Sequence, residues 1–215
     1  PTLALPCFRR AVEGEPSGLE ELIWVRLGET LHQLGRNDEA RQVLEPVYDK
    51  LSEFFSSVKD YSVEDKRAKN SSSYLAHEYA RTLVGLGEPE KAVPILAQIL
   101  KEHGDDPFLS LDLAQALMQL SDKASGARRA IPFLQKILGI GPDGVIGAYS
   151  SRLDDSPEAR GKARALLADA YSEVGDWNKA MDAYRRALEE PANSDSRMKT
   201  RLSTGLGMTA LKLEL

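Results

Sequence analysis

Three histidines, one cysteine and several paired carboxylates are the side chains through which this 215-residue chain could do chemistry. None of them stands at the spacing a reaction needs. A zinc-binding helix requires two histidines one turn apart, and His77-Glu78-Tyr79 offers only one, while His32 and His103 stand alone. Cys7 lies beside Phe8 with no base at motif spacing, so it reads as a buried structural thiol. A single cysteine also excludes an internal disulfide framework. The acid pairs Glu20-Glu21, Asp154-Asp155 and Glu189-Glu190 flank predicted helix ends, where carboxylates solvate the surface or favour a helix start. The glycines at 139, 141 and 144 could suggest a phosphate cradle. The Lys-Ser/Thr of a P-loop is missing and no strand precedes them, so they read as a turn after a helix. No enzyme, cofactor or metal ion is implied.

Composition narrows the alternatives further. With 42% apolar and 28% charged residues the chain can bury a continuous, modest core and is not of the disordered class. A net charge of -5 opposes nucleic-acid binding, since phosphate contacts need a basic face. No run of about 18 apolar residues is present, and the first residues lack the pattern of a signal peptide, so membrane insertion is not expected. The compartment stays open.

The elements that would position a site are helices. Gly-x-x-x-x-Ala occurs three times at a short polar turn, at Gly35 and Ala40, Gly87 and Ala92, and Gly175 and Ala180. About 14 amphipathic residues precede each copy and another amphipathic stretch follows, with apolar positions at i, i+3, i+4 and i+7. Each copy is therefore expected to be a helix hairpin. The glycine closes the first helix in a left-handed turn, and the alanine lets the second helix lie close.

These residues resemble the tetratricopeptide family, whose unit of about 34 residues carries W-x2-L-G-x2-Y, then A-x3-F, then A and P. Unit 21–54 supplies Trp24, Leu27, Gly28, Leu31, Gly35, Ala40, Leu44 and Val47. Unit 73–106 supplies Ala76, Tyr79, Ala80, Leu83, Gly87, Ala92, Leu96 and Ile99. Unit 107–142 is degenerate: Leu113, Ala114 and Leu117 fit a first helix and Ala130, Leu134, Ile137 and Pro142 a second, with a turn lengthened over 121–128. Unit 157–194 supplies Leu167, Ala168, Tyr171, Gly175, Ala180, Tyr184 and Ala187. Trp24, Trp177, Tyr171 and Tyr184 thus read as core rather than as a stacking platform. Ala4, Phe8, Ala11 and Pro16 look like a second helix of a partial repeat over 4–16, and Leu206, Gly207 and Ala210 like a terminal first helix over 198–215.

Two insertions interrupt the pattern. Residues 55–72 read as a lengthened second helix, a turn near Asp60 and an extended first helix. Residues 143–156 end at Ser156-Pro157-Glu158, a cap, a first-turn proline and an acid that suit a helix start. Leu202, Leu206, Met208, Leu211, Leu213 and Leu215 leave apolar surface on the last helix. The array is therefore expected to continue in a longer chain or to pair with a further copy, making homo-oligomers through the terminal helices a possible partner class.

The resemblance implies an all-α superhelix, or solenoid, of about four repeats with half-repeats at both ends, and a concave groove lined by first helices that holds a peptide or protein. Its groove positions map onto Val25, Glu29 and His32, then Tyr74, His77 and Arg81, then Phe108, Leu111, Gln115 and Met118, then Lys162, Asp169 and Ser172. Tyr74, His77, Arg81, Phe108, Gln115, Met118, Lys162 and Asp169 are the expected partner-binding set, combining cationic, aromatic and soft apolar character. The clamp that some family members use for acidic chaperone tails is disfavoured, because Val25, Glu29, Asp112 and Leu166 stand where it needs Lys, Asn, Asn and Arg. The functional expectation is an interaction scaffold, with a structural or oligomerisation spacer as the alternative.

Overall fold

The structure is a computed structural model that describes residues 6–7, 20–57, 63–104, 106–141 and 156–214. The described residues form nine α-helices: α1 (Glu20–Gln33), α2 (Asn37–Ser57), α3 (Val63–Gly85), α4 (Pro89–His103), α5 (Pro107–Gln119), α6 (Lys123–Ile137), α7 (Pro157–Glu173), α8 (Trp177–Glu189) and α9 (Ser196–Glu214). A short 3-10 turn, Pro191–Asn193, separates α8 from α9. The chain divides into two compact units, Pro1–Glu102 and His103–Leu215. Both are all-α and built from helix hairpins.

Four helices end in the same way. Gly35, Gly87, Gly139 and Gly175 have φ between 66° and 78°. At Gly35 the backbone N–H donates to His32 O (2.9 Å) and the next N–H, of Arg36, reaches back to Leu31 O (2.9 Å), the paired bonds of a Schellman turn. The left-handed glycine satisfies carbonyls that would otherwise be orphaned at the helix end. The three Gly-x4-Ala anchors are thus the hairpin turns α1/α2, α3/α4 and α7/α8.

The first unit packs α1, α2 and α3 against one another. Leu27, Leu31 and Ala40 form its first core, with Trp24, Leu34 and Val43 against it. Gly28 has Leu44 so close that a Cβ would strike its side chain, which is how α1 and α2 approach. Leu75, Ala80 and Leu83 of α3 and Ala92, Leu96 and Ile99 of α4 are buried in turn.

The second unit repeats the scheme. Helix α5 pairs with α6 and α7 with α8, α5 and α7 lie side by side, and α9 packs on α8 and touches α7. Its core is Leu113, Ala114, Leu117, Ala130, Leu134, Leu167, Ala168, Tyr171, Ala180, Tyr184 and Leu202. Side chains supply the caps at the N-termini of its helices: Asp106 accepts from Leu109 N (2.8 Å), Ser156 Oγ from Ala159 N (3.4 Å) and Asp176 from Lys179 N (3.4 Å).

The structure corrects the sequence reading at four points. The lengthened turn over 121–128 is not a loop: α6 begins at Lys123, capped by Asp122 through Ser125 N (3.0 Å), so the extra residues become helix. Gly126 permits this, since its Cα lies against the Leu117 carbonyl where no Cβ would fit. Cys7 is exposed rather than buried. Of the last helix's apolar residues, Leu202 is fully buried while Met208, Leu211 and Leu213 are exposed. The small residue that lets α9 approach is Gly205, against the Tyr184 ring, whereas Gly207 touches nothing within contact distance. Most of the partial repeat 4–16, the turn near Asp60, the insertion 143–155 and Leu215 lie outside the described residues.

Candidate functional site

The groove positions fall on the first helices of the hairpins, and within each unit spacing gathers them. On α3, Tyr74, His77 and Arg81 stand at i, i+3 and i+7 and so share a face. All three are half-buried. The Tyr74 hydroxyl donates to Glu29 Oε2 on α1 (3.3 Å), and Arg26 joins them, with Nη1 2.8 Å from the same Glu29 oxygen and its guanidinium carbon 5.7 Å from the centre of the Tyr74 ring. Burial and the Glu29 charge push the Tyr74 hydroxyl above its ordinary range. Arg81 pairs with Glu78 (2.9 Å), a carboxylate only 2% exposed whose second oxygen has no hydrogen-bond partner among the described residues. The α3 face is therefore tied into the first unit by polar contacts.

The opposite side of α3 carries a second network. Tyr79 OH donates to Glu45 Oε1 (2.9 Å), and its ring lies 4.9 Å from that of Tyr48. Arg41 reaches Glu45 (3.4 Å) and Glu88 (2.7 Å). Burial, then the hydrogen bond to Glu45, raises the Tyr79 hydroxyl, while that same bond holds Glu45 below the usual carboxylate range.

In the second unit the pattern differs. Phe108, at the start of α5, is 52% exposed. Gln115 and Met118 follow on its face, both half-buried, and Lys162 on the neighbouring α7 is exposed. Leu111, also mapped to the groove, is buried instead, as is Val25 in the first unit. Each packs inward among the buried apolar residues of its own helix. Asp169 is committed to structure: its oxygens accept from Tyr184 OH (2.9 Å) and Arg201 Nη1 (2.7 Å), binding α7 to α8 and α9. Burial, then the Asp169 charge, raises the Tyr184 hydroxyl.

Several participants escaped sequence reasoning. Glu190, 4% exposed, takes ion pairs from both Arg160 (3.2 Å) and Arg164. Asn193, buried beside it, donates to Gly161 O (3.1 Å) and Ala187 O (2.8 Å), fixing the turn before α9 onto α7. Lys179 sits 5.7 Å from the Tyr171 ring centre, whose hydroxyl accepts from Gln135 Nε2 (2.9 Å). The longest of these ties, Glu190 to Arg160, Asn193 to Gly161 and Tyr171 to Gln135, span 30 to 36 residues, beyond any local spacing rule.

Among the described residues no group of three or more His, Cys, Asp or Glu is placed to hold a metal ion. None of the described helices is long and apolar enough to cross a membrane. No curated protein matches the chain. Two family models do match it, both described as the tetratricopeptide repeat, one over residues 24–46 and the other over 163–198. The first covers the α1/α2 turn with its Leu27, Gly28, Gly35 and Ala40, and the second covers α7, α8 and the tie to α9. Repeats of this kind generally mediate protein–protein interaction. The chain thus contains tetratricopeptide repeats, matched over residues 24–46 and 163–198.

Proposed function

We propose that this chain is an interaction scaffold that holds a peptide or protein segment against the groove-facing sides of its first helices. The observation that carries the reading is Phe108. Among the described residues the large exposed apolar side chains are Phe108 and three on α9, and Phe108 alone falls on a mapped groove position. Apolar surface at a mapped groove position is where a partner would gain most by covering it. Met118 adds an adaptable apolar contact on the same helix and Lys162 a cation on the next, so the face suits a segment with an apolar anchor and an acidic neighbour. Tyr74, His77 and Arg81 offer a second, more polar face in the first unit. A net charge of -5 favours a protein ligand over a nucleic acid.

A second reading has its own observation. Met208 and Leu211 of α9 are 57% and 58% exposed, and a repeat array covers such a surface by stacking on another repeat. On that reading the chain is a structural spacer or oligomerisation element.

One experiment separates the two. Capture from a lysate of the source organism is run with wild type, Phe108→Ala/Met118→Ala and Met208→Ser/Leu211→Ser chains of equal helicity, and each chain is weighed by sedimentation across concentration. Loss of a captured protein with the first variant alone supports the groove. Concentration-dependent mass that the second variant abolishes, with capture unaffected by the first, supports the spacer.

A further inference from the structure

On the other side of the second unit, away from the α5 and α7 groove positions, the second helices frame a cleft of about 90 Å³. Leu138 and Ile140, just beyond the end of α6, and Leu167 of α7 give it an apolar floor, and its rim carries Arg164, Lys179, Asp182 and Arg186. We infer that this cleft is a second docking site, for an acidic peptide segment that inserts one apolar side chain between flanking carboxylates.

Charge is the first argument. In a chain of net charge -5, three cations and one carboxylate surround a single apolar cleft. Part of this charge is already offset, since Lys179 pairs with Asp176 (2.9 Å) and Asp182, itself on the rim, pairs with Arg185 (3.8 Å). Arg164 pairs with the buried Glu190, which Arg160 also contacts. Arg186 makes no ion pair among the described residues, and its guanidinium presents five donors suited to a carboxylate. Lys179 and Arg186 stand seven residues apart on α8 with Asp182 between, so they line one stripe of the helix.

Size is the second argument. Small-molecule sites run to roughly 300–1,000 Å³, and this cleft is well below that range, the room of one medium apolar side chain. A peptide uses such a pocket as an anchor point while its flanks contact the rim. The occupant that matches floor and rim together is a segment with Leu, Ile or Met flanked by Asp or Glu. This site is independent of the groove, because its residues lie on α7, α8 and the end of α6 and include neither Phe108 nor Met118.

The test uses the whole chain and a short fluorescent peptide, blocked at both ends, with a central leucine between glutamates. Anisotropy titrations compare it with a Leu-to-Ser and a Glu-to-Gln peptide, on wild type, Lys179→Gln/Arg186→Gln and Phe108→Ala/Met118→Ala chains. The inference expects saturable binding that both peptide changes weaken and that the α8 variant weakens by about tenfold or more. Binding should also fall as salt is raised and stay unchanged in the Phe108 variant. It is overturned by absence of saturable binding, by equal binding to the α8 variant, or by loss in the Phe108 variant alone. Equal affinity for the Leu-to-Ser peptide with displacement by inorganic phosphate would make it an anion site only. Wild-type self-association abolished by Lys179→Gln/Arg186→Gln would assign the cleft to a second copy, and either result also overturns it.

Discussion

The groove-facing helices of the two units spend their side chains differently. In the first unit Tyr74 is engaged with Glu29 and Arg26, and Arg81 with the buried Glu78. In the second, Phe108 and Lys162 stand exposed at positions mapped to the groove, and the polar contacts tie helix to helix instead, Asp169 with Arg201 and the buried Glu190 with two arginines. The same repeat geometry thus serves cohesion in one place and leaves apolar surface exposed in the other. A residue at a groove position is a binding candidate only when its own fold has not already claimed it.

The largest expected effect breaks the comparison at its buried acids. Glu190→Ala removes the buried acceptor that Arg160 and Arg164 share, each under a third exposed, and loosens the turn that docks α9, so it should cost about 3–5 kcal/mol in urea denaturation of the chain. Glu78→Gln, at a carboxylate with one oxygen already unpartnered, should cost much less, about 1 kcal/mol or under, or be neutral. Equal losses would show that the two acids have equivalent roles.

A smaller effect sharpens the contrast between the faces. Tyr74→Phe removes a hydrogen bond to a charged acceptor and should lower stability by about 1 kcal/mol while weakening partner capture far less than a change at Phe108. Phe108→Ala should do the reverse, leaving stability within about 0.5 kcal/mol and removing capture. An exposed side chain has little folding energy to lose.

The smallest effect is a pH dependence in the first unit. Glu45 has its folded pKa depressed, first by the Tyr79 hydrogen bond, so its contribution is present above the ordinary 4.5 and is lost as pH falls through the lower folded value. Tyr79 has its pKa raised, so its contribution is present below the ordinary 10.0 and is lost as pH rises past the higher folded value. Tyr79→Phe should flatten both limbs of the stability curve for the first unit's unfolding transition, followed by circular dichroism from acid to alkaline pH. An unchanged acid limb would detach Glu45 from it.

Much of the architecture was legible because it is local. The glycines at 35, 87 and 175 announce left-handed turns, and Leu27, Leu31, Ala40 and Leu44 announce a buried stripe, by spacing within one hairpin. The start of α6 was missed because its Gly126 reads as a loop residue, whereas it is small to admit the Leu117 carbonyl. Similarly, Gly205 rather than Gly207 sets the docking of α9, a choice that depends on where Tyr184 lies in space. The site was less legible for the same reason. Nothing in the sequence near Asp169 reveals that Arg201 claims it, or that Arg164 and Arg186 line one cleft with Leu138, since those relations arise only when consecutive hairpins stack.

The central claim is that a partner covers the α5 and α7 face. Hydroxyl-radical footprinting of the chain with and without its captured partner tests it most directly, because Phe108, Met118 and Met208 are all reactive and report separate surfaces. The account predicts protection of Phe108 and Met118 with Met208 unchanged. Protection of Met208 alone would contradict it and place the contact at the end of the array.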